Sequence, residues 1–276
     1  MPLEEIINRQ GIIISAPASG AGKTTVTLGL INAFARKMSV QPFKSGPDYI
    51  DPKFQSVAAD RPSYNLDTWA MSSSDILNMI GMVGPSDICI AEGSMGLFDG
   101  VISKGAGGNG STADLASITN WPVILVVDCA KQAQSVAALI TGFNSFRHDI
   151  TIGGIILNNI SSKRHEALVV SEVSKTNVPI LGVIPRSNEL TIPERHLGLV
   201  QAEDLSDLEQ LIFKLGTLIE ENCDLEAIAC TARKSSPAIP NLQKITPPAQ
   251  RIAIARDNAF TFTYSHLIEG WEETRR

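Results

Sequence analysis

The chain has 276 residues, 43% from the AVILMFWYC set and 19% charged, with 23 Lys+Arg against 29 Asp+Glu for a formal charge of −6. That supports one large domain, or one and a half, with an ample core, and the mild acidity argues against a broad nucleic-acid or anionic-membrane surface. The longest apolar runs, such as Val123–Val127 and Gly153–Leu157, are far shorter than the roughly 20 residues of a membrane-spanning helix.

In chain order, Met1–Gln10 carries Glu4 and Glu5 and lacks the apolar core of an export signal. Gly11–Ser15 (GIIIS) predicts a buried strand, then a Gly-rich turn and a helix from Lys23 to Lys37. Val40–Lys44 predicts a second strand, and Ser74–Met82 a helix capped by Ser72 or Ser73. Asp87–Ala91 and Val123–Asp128 read as strands apolar on both faces, with helices at Ser111–Ile118 and Ala133–Phe146. Ile152–Leu157 (strand), Ser162–Ser174 (helix) and Ile180–Ile184 (strand) complete the pattern. Such alternation indicates an α/β fold, a parallel sheet with helices on both faces, whose binding groups collect at the carboxyl ends of the strands.

The composition then shifts. Leu205–Glu221 predicts one more helix, Ser235–Gln250 with Pro237, Pro240, Pro247 and Pro248 a linker, and Arg251–Ala255 (RIAIA) a new strand. The expected organisation is a nucleotide-binding domain over 1–234, a linker over 235–250, and a final segment over 251–276. That segment either packs onto the first domain or opens a second one. Cys89, Cys129, Cys223 and Cys230 are too irregularly spaced for a disulfide framework or a CxxC zinc site, so a reducing cytoplasm is expected.

The sharpest local signal is Ser15–Thr25 (SAPASGAGKTT), which follows a strand and opens a helix as a phosphate-binding P-loop requires. Ser19, Gly20, Ala21 and Gly22 let backbone N–H groups curl around phosphates, and the helix N-terminus adds partial positive charge. Lys23 suits the β- and γ-phosphates, the Thr24 hydroxyl suits Mg²⁺, and Thr25 continues the cradle. Pro17 stands where the GxxxxGK[ST] pattern has its first Gly. No NKxD base-reading motif of a Ras-type GTPase is found, and Ala18 stands where a ParA/MinD-like ATPase carries a lysine.

Two further segments should reach the same edge of the sheet. Lys44–Pro52 (KSGPDYIDP) follows the second strand and Glu92–Gly100 (EGSMGLFDG) follows the DICIA strand. Asp48 and Glu92, beside Thr24, fit a Mg²⁺ ion that keeps phosphate oxygens and water as its other partners, Glu92 standing as the Walker-B acid. Lys44 suits a phosphate or a substrate carboxylate, while Asp51 and Asp99 can serve the site or cap a turn.

With these motifs assembled, the chain resembles the cobyrinic acid a,c-diamide synthase family. The resemblance rests on APASGAGKTT, KSGPDYIDP, NLDTW (Asn65–Trp69), AEGSMGLFDG, GSTADLA (Gly110–Ala116), PVILVVD and GGIILN, in that order over Gly11–Gln201, and resumes at RIAIARDNAF (Arg251–Phe260). It implies a dethiobiotin-synthetase-like fold and amidation of corrin or hydrogenobyrinic acid carboxylates with ATP, Mg²⁺ and glutamine-derived ammonia. The residues themselves point to Lys23, Lys44, Asp48 and Glu92 for catalysis and Thr24, Asp48 and Glu92 for the metal. The resemblance implies that Tyr49 and Asp99 line the substrate side with Ser94, Asp99 counting also as catalytic; an ordinary half-buried aromatic is the alternative for Tyr49. Asn158 resembles an adenine-reading asparagine, with capping of a turn as the alternative. His196 and Cys129 read as structural.

Full members of that family carry a glutaminase domain with a Cys nucleophile and its His partner, which the sequence up to Arg276 does not include, and Cys223 and Cys230 lie upstream of the linker. Glutamine hydrolysis by this polypeptide is therefore expected to be absent: ammonia comes from solution or a separate glutaminase, or the sequence is a fragment of a longer protein. The alternatives are a Ni-sirohydrochlorin a,c-diamide synthase, another ligase of the same fold, or a ParA/MinD-like ATPase module. The oligomeric state stays open, a homodimer among the options.

Overall fold

The computed structural model describes residues 8–187, 202, 205, 207–237, 246–257 and 260–273. Among them the elements run β1 (Gln10–Ser15), α1 (Lys23–Ala35), β2 (Val40–Ser45), α2 (Asp51–Ala59), β3 (Tyr64–Leu66), α3 (Ser73–Met82), β4 (Ile88–Glu92) and α4 (Thr112–Thr119). They continue with β5 (Val123–Asp128), α5 (Val136–Phe146), β6 (Ile152–Ile160), α6 (Lys163–Val173), β7 (Ile180–Pro185), α7 (Leu208–Asn222), α8 (Leu225–Thr231), β8 (Arg233–Lys234) and α9 (Ser265–Glu273).

The sheet order is β3-β2-β4-β1-β5-β6-β7, all parallel, and β8 adds antiparallel to the start of β1. The continuous apolar runs are explained by two cores, one on each face. Ile12 and Ile14 of β1, Ile88 and Ile90 of β4, and Ile124 and Val126 of β5 pack toward α1, α2 and α7. Their neighbours Ile13, Cys89, Ala91, Val123, Leu125 and Val127 point the other way, toward α3, α4, α5 and α6. A strand's two-residue side-chain period turns a GIIIS-type run into two buried rows at once.

Helix α1 lies between the sheet and α7, so Val26–Ile31 are buried all round. A Cβ on Gly29 would sit 2.8 Å from the Leu215 carbonyl, which is why the two helices can approach so closely only with glycine there. Ser72 is the cap of α3, in a reciprocal capping box with Asp75.

Three expectations change. RIAIA is not a strand: 251–257 is exposed, and Ile252 and Ile254 are 38% and 43% accessible with no ladder partner among the described residues. The Pro-rich segment begins inside the body of the fold, because Ser235 is buried and bonded to Arg9, while 238–245 lie outside the described residues. β6 runs to Ile160, which places Asn158 within a strand rather than just beyond one. Helices α2, α8 and α9 and strands β3 and β8 are additional; all five are short, and three-residue β3 carries too little pattern to be read locally. His196 lies outside the described residues. Among the described residues, no helix is long and apolar enough to cross a membrane.

Candidate active site at the carboxyl edge of the sheet

Strand β1 pairs with both β4 and β5; the chain passes from β1 to β2 on the β4 side and from β4 to β5 on the other, so the loops after β1, β2 and β4 open at one edge beside this reversal. The loop after β1 turns into α1 through Gly20 (φ 79°) and Gly22 (φ 84°), with Gly22 at the N-cap and no side chain closing the helix end. A Cβ at Gly22 would meet the Asn158 amide, so this residue needs glycine both for its left-handed backbone and for space. The uncapped first-turn N–H groups of α1 make an anion site. Ser19 and Gly20 are exposed, Ala21 is buried, and Thr25 is half-buried.

Lys23, the first residue of α1, donates to the Gly93 carbonyl at 2.6 Å and pairs with Glu92 Oε1 at 3.3 Å. Thr24 Oγ1 donates to the same Glu92 oxygen at 2.6 Å. On the other side Lys44 and Glu92 are register partners on β2 and β4, which puts their side chains on one face and brings Lys44 Nζ to 3.5 Å from Oε1. Lys44 Nζ also lies 2.5 Å from Asp51 Oδ2 and 3.5 Å from Asp48 Oδ2. Asp48 turns the chain into α2, its Oδ1 accepting from the Ile50 and Asp51 N–H groups at 2.8 and 3.1 Å.

Two participants are absent from the predicted site residues: Gln55, which lies outside the quoted motifs, and Asn65, which opens NLDTW but has no role assigned there. Gln55 Nε2 donates to Glu92 Oε2 at 2.8 Å, and its own oxygen accepts from Ser63 Oγ at 2.7 Å, so the amide is oriented. Asn65 Nδ2 ties down the Gly46 and Asp48 carbonyls at 2.9 and 2.7 Å. A usable signal does exist for α2: Pro52 at the helix start, and Asp51 and Gln55 four apart and therefore on one face.

The charges follow from this packing. Burial alone would raise the Glu92 carboxyl, but the Lys44 and Lys23 ammonium groups and the hydrogen bonds from Thr24 and Gln55 pull it down to about 2. Burial works against a charged Lys44, yet Glu92, Asp51 and Asp48 hold it above an ordinary lysine. Burial and the nearby Glu92 charge push Asp51 up to about 7 despite its lysine partner. Thr24, Asp48 and Glu92 are hard oxygen donors, and one cationic nitrogen already stands 3.5 Å from both carboxylates. That donor set fits Mg²⁺ completed by phosphate oxygens and water. Among the described residues, no group of three or more His, Cys, Asp or Glu side chains forms a metal cage of its own.

The remaining predicted residues lie around this centre. Asn158 is 8% exposed and its Nδ2 donates to the Ala21 carbonyl at 2.9 Å, so its amide supports the P-loop from below. Ser94 Oγ donates to the Ser45 carbonyl, tying the loop after β4 to the end of β2. Asp99 is exposed and its Oδ2 accepts from the Gly96 N–H at 2.9 Å, the turn-capping alternative. Its loop reaches the nucleotide side through Leu97 N–H, which donates to the Ala16 carbonyl at 2.8 Å. Tyr49 is half-buried and stacks with Phe262 and Tyr264. Cys129 is buried, and burial pushes its thiol up to about 12, as suits a structural residue.

The family described as "CobQ/CobB/MinD/ParA nucleotide binding domain" matches residues 12–200. A Rhodobacter capsulatus protein named hydrogenobyrinate a,c-diamide synthase is 46% identical over 263 residues, covering 95% of this chain and 60% of the relative. A protein of the same name from Brucella anthropi is 46% identical over 267 residues with the same two coverages. The chain thus spans about three-fifths of the length of the curated relatives it matches. Among solved structures, chloroplast FtsY from Physcomitrella patens aligns at 16% identity and a TM-score of 0.47, covering 78% of this chain and 67% of that one. The phosphate loop, the buried acid opposite it and the match over 12–200 together mean that the chain belongs to the CobQ/CobB/MinD/ParA nucleotide binding domain family.

Proposed function

We propose that this chain is the ATP-using part of an amide ligase that converts the a and c side-chain carboxylates of hydrogenobyrinic or cobyrinic acid to amides. The observation that carries the reading is Glu92: fully buried, anionic, and in contact with Thr24, Lys23 and Lys44 at once. The name shared by the relatives supports the substrate class.

A carboxylate has no good leaving group. Transfer of the γ-phosphoryl group to a carboxylate oxygen forms an acyl phosphate and leaves ADP. Ammonia then attacks the carbonyl carbon, the C–O bond to phosphate breaks, and the nitrogen gives up a proton. Positioning and charge neutralisation dominate such transfers. Lys23 and the N–H groups of Gly20–Lys23 hold the phosphates. Lys44, braced by Asp51, faces the phosphoryl group in transit or the substrate carboxylate. Thr24, Asp48 and Glu92 hold Mg²⁺, which when bound neutralises phosphate charge. Ser19, Ala21 and Thr25 complete the cradle, with Asn158 on its adenine side. Tyr49, Ser94 and Asp99 line the macrocycle side. Residues 251–276 are the start of an incomplete glutamine amidotransferase domain, ammonia comes from solution or a separate glutaminase, and the reaction runs in the cytoplasm.

The test combines the chain with ATP, Mg²⁺, hydrogenobyrinic acid and either ammonium chloride or glutamine. Phosphate release is followed against amide formation by mass spectrometry. Amide formation with ammonia, matched by phosphate release, is expected. ATP hydrolysis indifferent to the macrocycle, with no amide, refutes the ligase reading; amide formed from glutamine by this chain alone refutes the separate nitrogen supply.

A further inference from the structure

Tyr49 directly follows Asp48, and its ring meets two aromatic side chains from the far end of the described chain. Tyr264 stacks on it with centroids 4.5 Å apart and planes 25° from parallel; Phe262 lies at 5.2 Å and 13°. Tyr264 leans in turn on His266 at 5.4 Å. One strand away, the Tyr64 hydroxyl reaches the two carboxylate oxygens of Glu269 at 3.2 and 3.1 Å. The 262–269 segment is thus fastened at two points to β3 and to the loop that bears Asp48.

The contact is not that of a closed core. Phe262 keeps 49% of its surface open although it is stacked, which leaves apolar ring area beside Tyr49 of the kind a flat conjugated ligand covers. Burial, a hydrogen bond with Tyr49, and the Tyr49, Asp67 and Asp48 charges push the Tyr264 phenol up, so it stays a neutral partner. Tyr49 therefore takes its ring orientation from residues that lie outside the P-loop domain's motifs.

We propose that Phe262 and Tyr264 are positioning residues for the macrocycle, holding Tyr49 at the substrate rim so that the segment after the linker completes a site built by the nucleotide-binding domain. This rests on the ligase reading above. It makes macrocycle binding, but not ATP binding, depend on residues far from the phosphate loop.

The experiment measures ammonia-dependent amidation by the full chain and its Tyr264→Ala, Phe262→Ala and Tyr264→Phe variants, with KM for hydrogenobyrinic acid and for ATP determined separately. Each aromatic pair is a contact whose loss raises KM for the macrocycle roughly tenfold. KM for ATP and kcat should stay unchanged, and Tyr264→Phe, which keeps the stack, should restore the macrocycle KM. An unchanged or lowered macrocycle KM in both Ala variants overturns the proposal, the lowered value meaning that the segment covers the surface instead of shaping it. A parallel rise in both KM values also overturns it, since that marks a structural role. If the Ala variants are insoluble, Phe262→Leu and Tyr264→Leu carry the same comparison. An inactive wild type removes the ligase reading and this proposal together; an active wild type with indifferent variants removes this proposal alone.

Discussion

Neutralising Glu92 tests the centre of the site most directly. Glu92→Gln keeps the size of the side chain and an oxygen for Thr24 to bond, but removes the charge shared by Lys23 at 3.3 Å and Lys44 at 3.5 Å. Both ammonium groups face one oxygen, so its loss leaves them repelling each other, and only Lys44 retains carboxylate partners in Asp51 and Asp48. The depression of the Glu92 carboxyl from an ordinary 4.5 to about 2 is equivalent to about 3 kcal/mol of stability. That agrees with the roughly 3–5 kcal/mol lost when one member of a buried pair is removed. With an unfolding entropy of about 2.1 cal/mol/K per residue, a chain of this length should melt about 5 °C lower. A depressed carboxyl stabilises above its unfolded value and loses that contribution as pH falls through its folded value. The gap between wild type and variant should therefore be full at pH 7.5 and close as the pH falls below 4.5 toward 2. Thermal unfolding followed by circular dichroism reads this out, and turnover should drop roughly 10³-fold. An equal or higher melting temperature for Glu92→Gln at pH 7.5 would show that no buried anion holds the two lysines, and the charge argument would fall with it.

Gly22→Ala forces a left-handed residue, at a cost of about 1–2 kcal/mol, and drives a methyl group into the Asn158 amide. Nucleotide binding, measured with a fluorescent ATP analogue, should weaken more than tenfold by that estimate of strain plus displacement of the loop. Asn158→Ala orphans the Ala21 carbonyl, so about 1 kcal/mol is lost and KM for ATP should rise severalfold with KM for the macrocycle unchanged; altered preference between ATP and GTP would instead support base reading. Asp51 is raised to about 7 by burial and Glu92, so kcat/KM should climb through pH 7 as the carboxylate forms and secures Lys44. That limb should be missing in Asp51→Asn. The raised value also means that its stabilising contribution is complete below pH 4 and lost as pH rises through 7. Melting temperatures of wild type relative to Asp51→Asn should accordingly decline from pH 5 to pH 8.

The phosphate loop is legible because its geometry is local: a strand, a turn rich in small residues, and a lysine at the first position of a helix lie within one short stretch. Lys44 and Glu92 are legible as residues at the ends of two strands, and parallel register makes them neighbours. Gln55 is different. Its amide sits on a helix of weak amphipathic pattern, and only the fold brings it under Glu92. The RIAIA alternation has the period of a strand, but a strand is completed by hydrogen bonds from another segment, and here 251–257 lies exposed. Asn158 shows the same limit. Its place at a strand end is readable, whereas the hydrogen bond to Ala21 depends on how β6 meets the loop after β1.

Periodicity and short-range spacing were enough to indicate an α/β sheet, its strand ends and a phosphate cradle, since each depends on residues a few positions apart, whereas the meeting of that cradle with Glu92, some 69 residues away, comes from the sheet. Tertiary packing alone decided that Lys44 is shared among three carboxylates, that Asp51 titrates near neutrality, and that Tyr49 is braced by Phe262 and Tyr264. Charge states and ring contacts are set by which distant groups come within a few ångströms in a water-poor interior, and linear spacing carries no record of that distance.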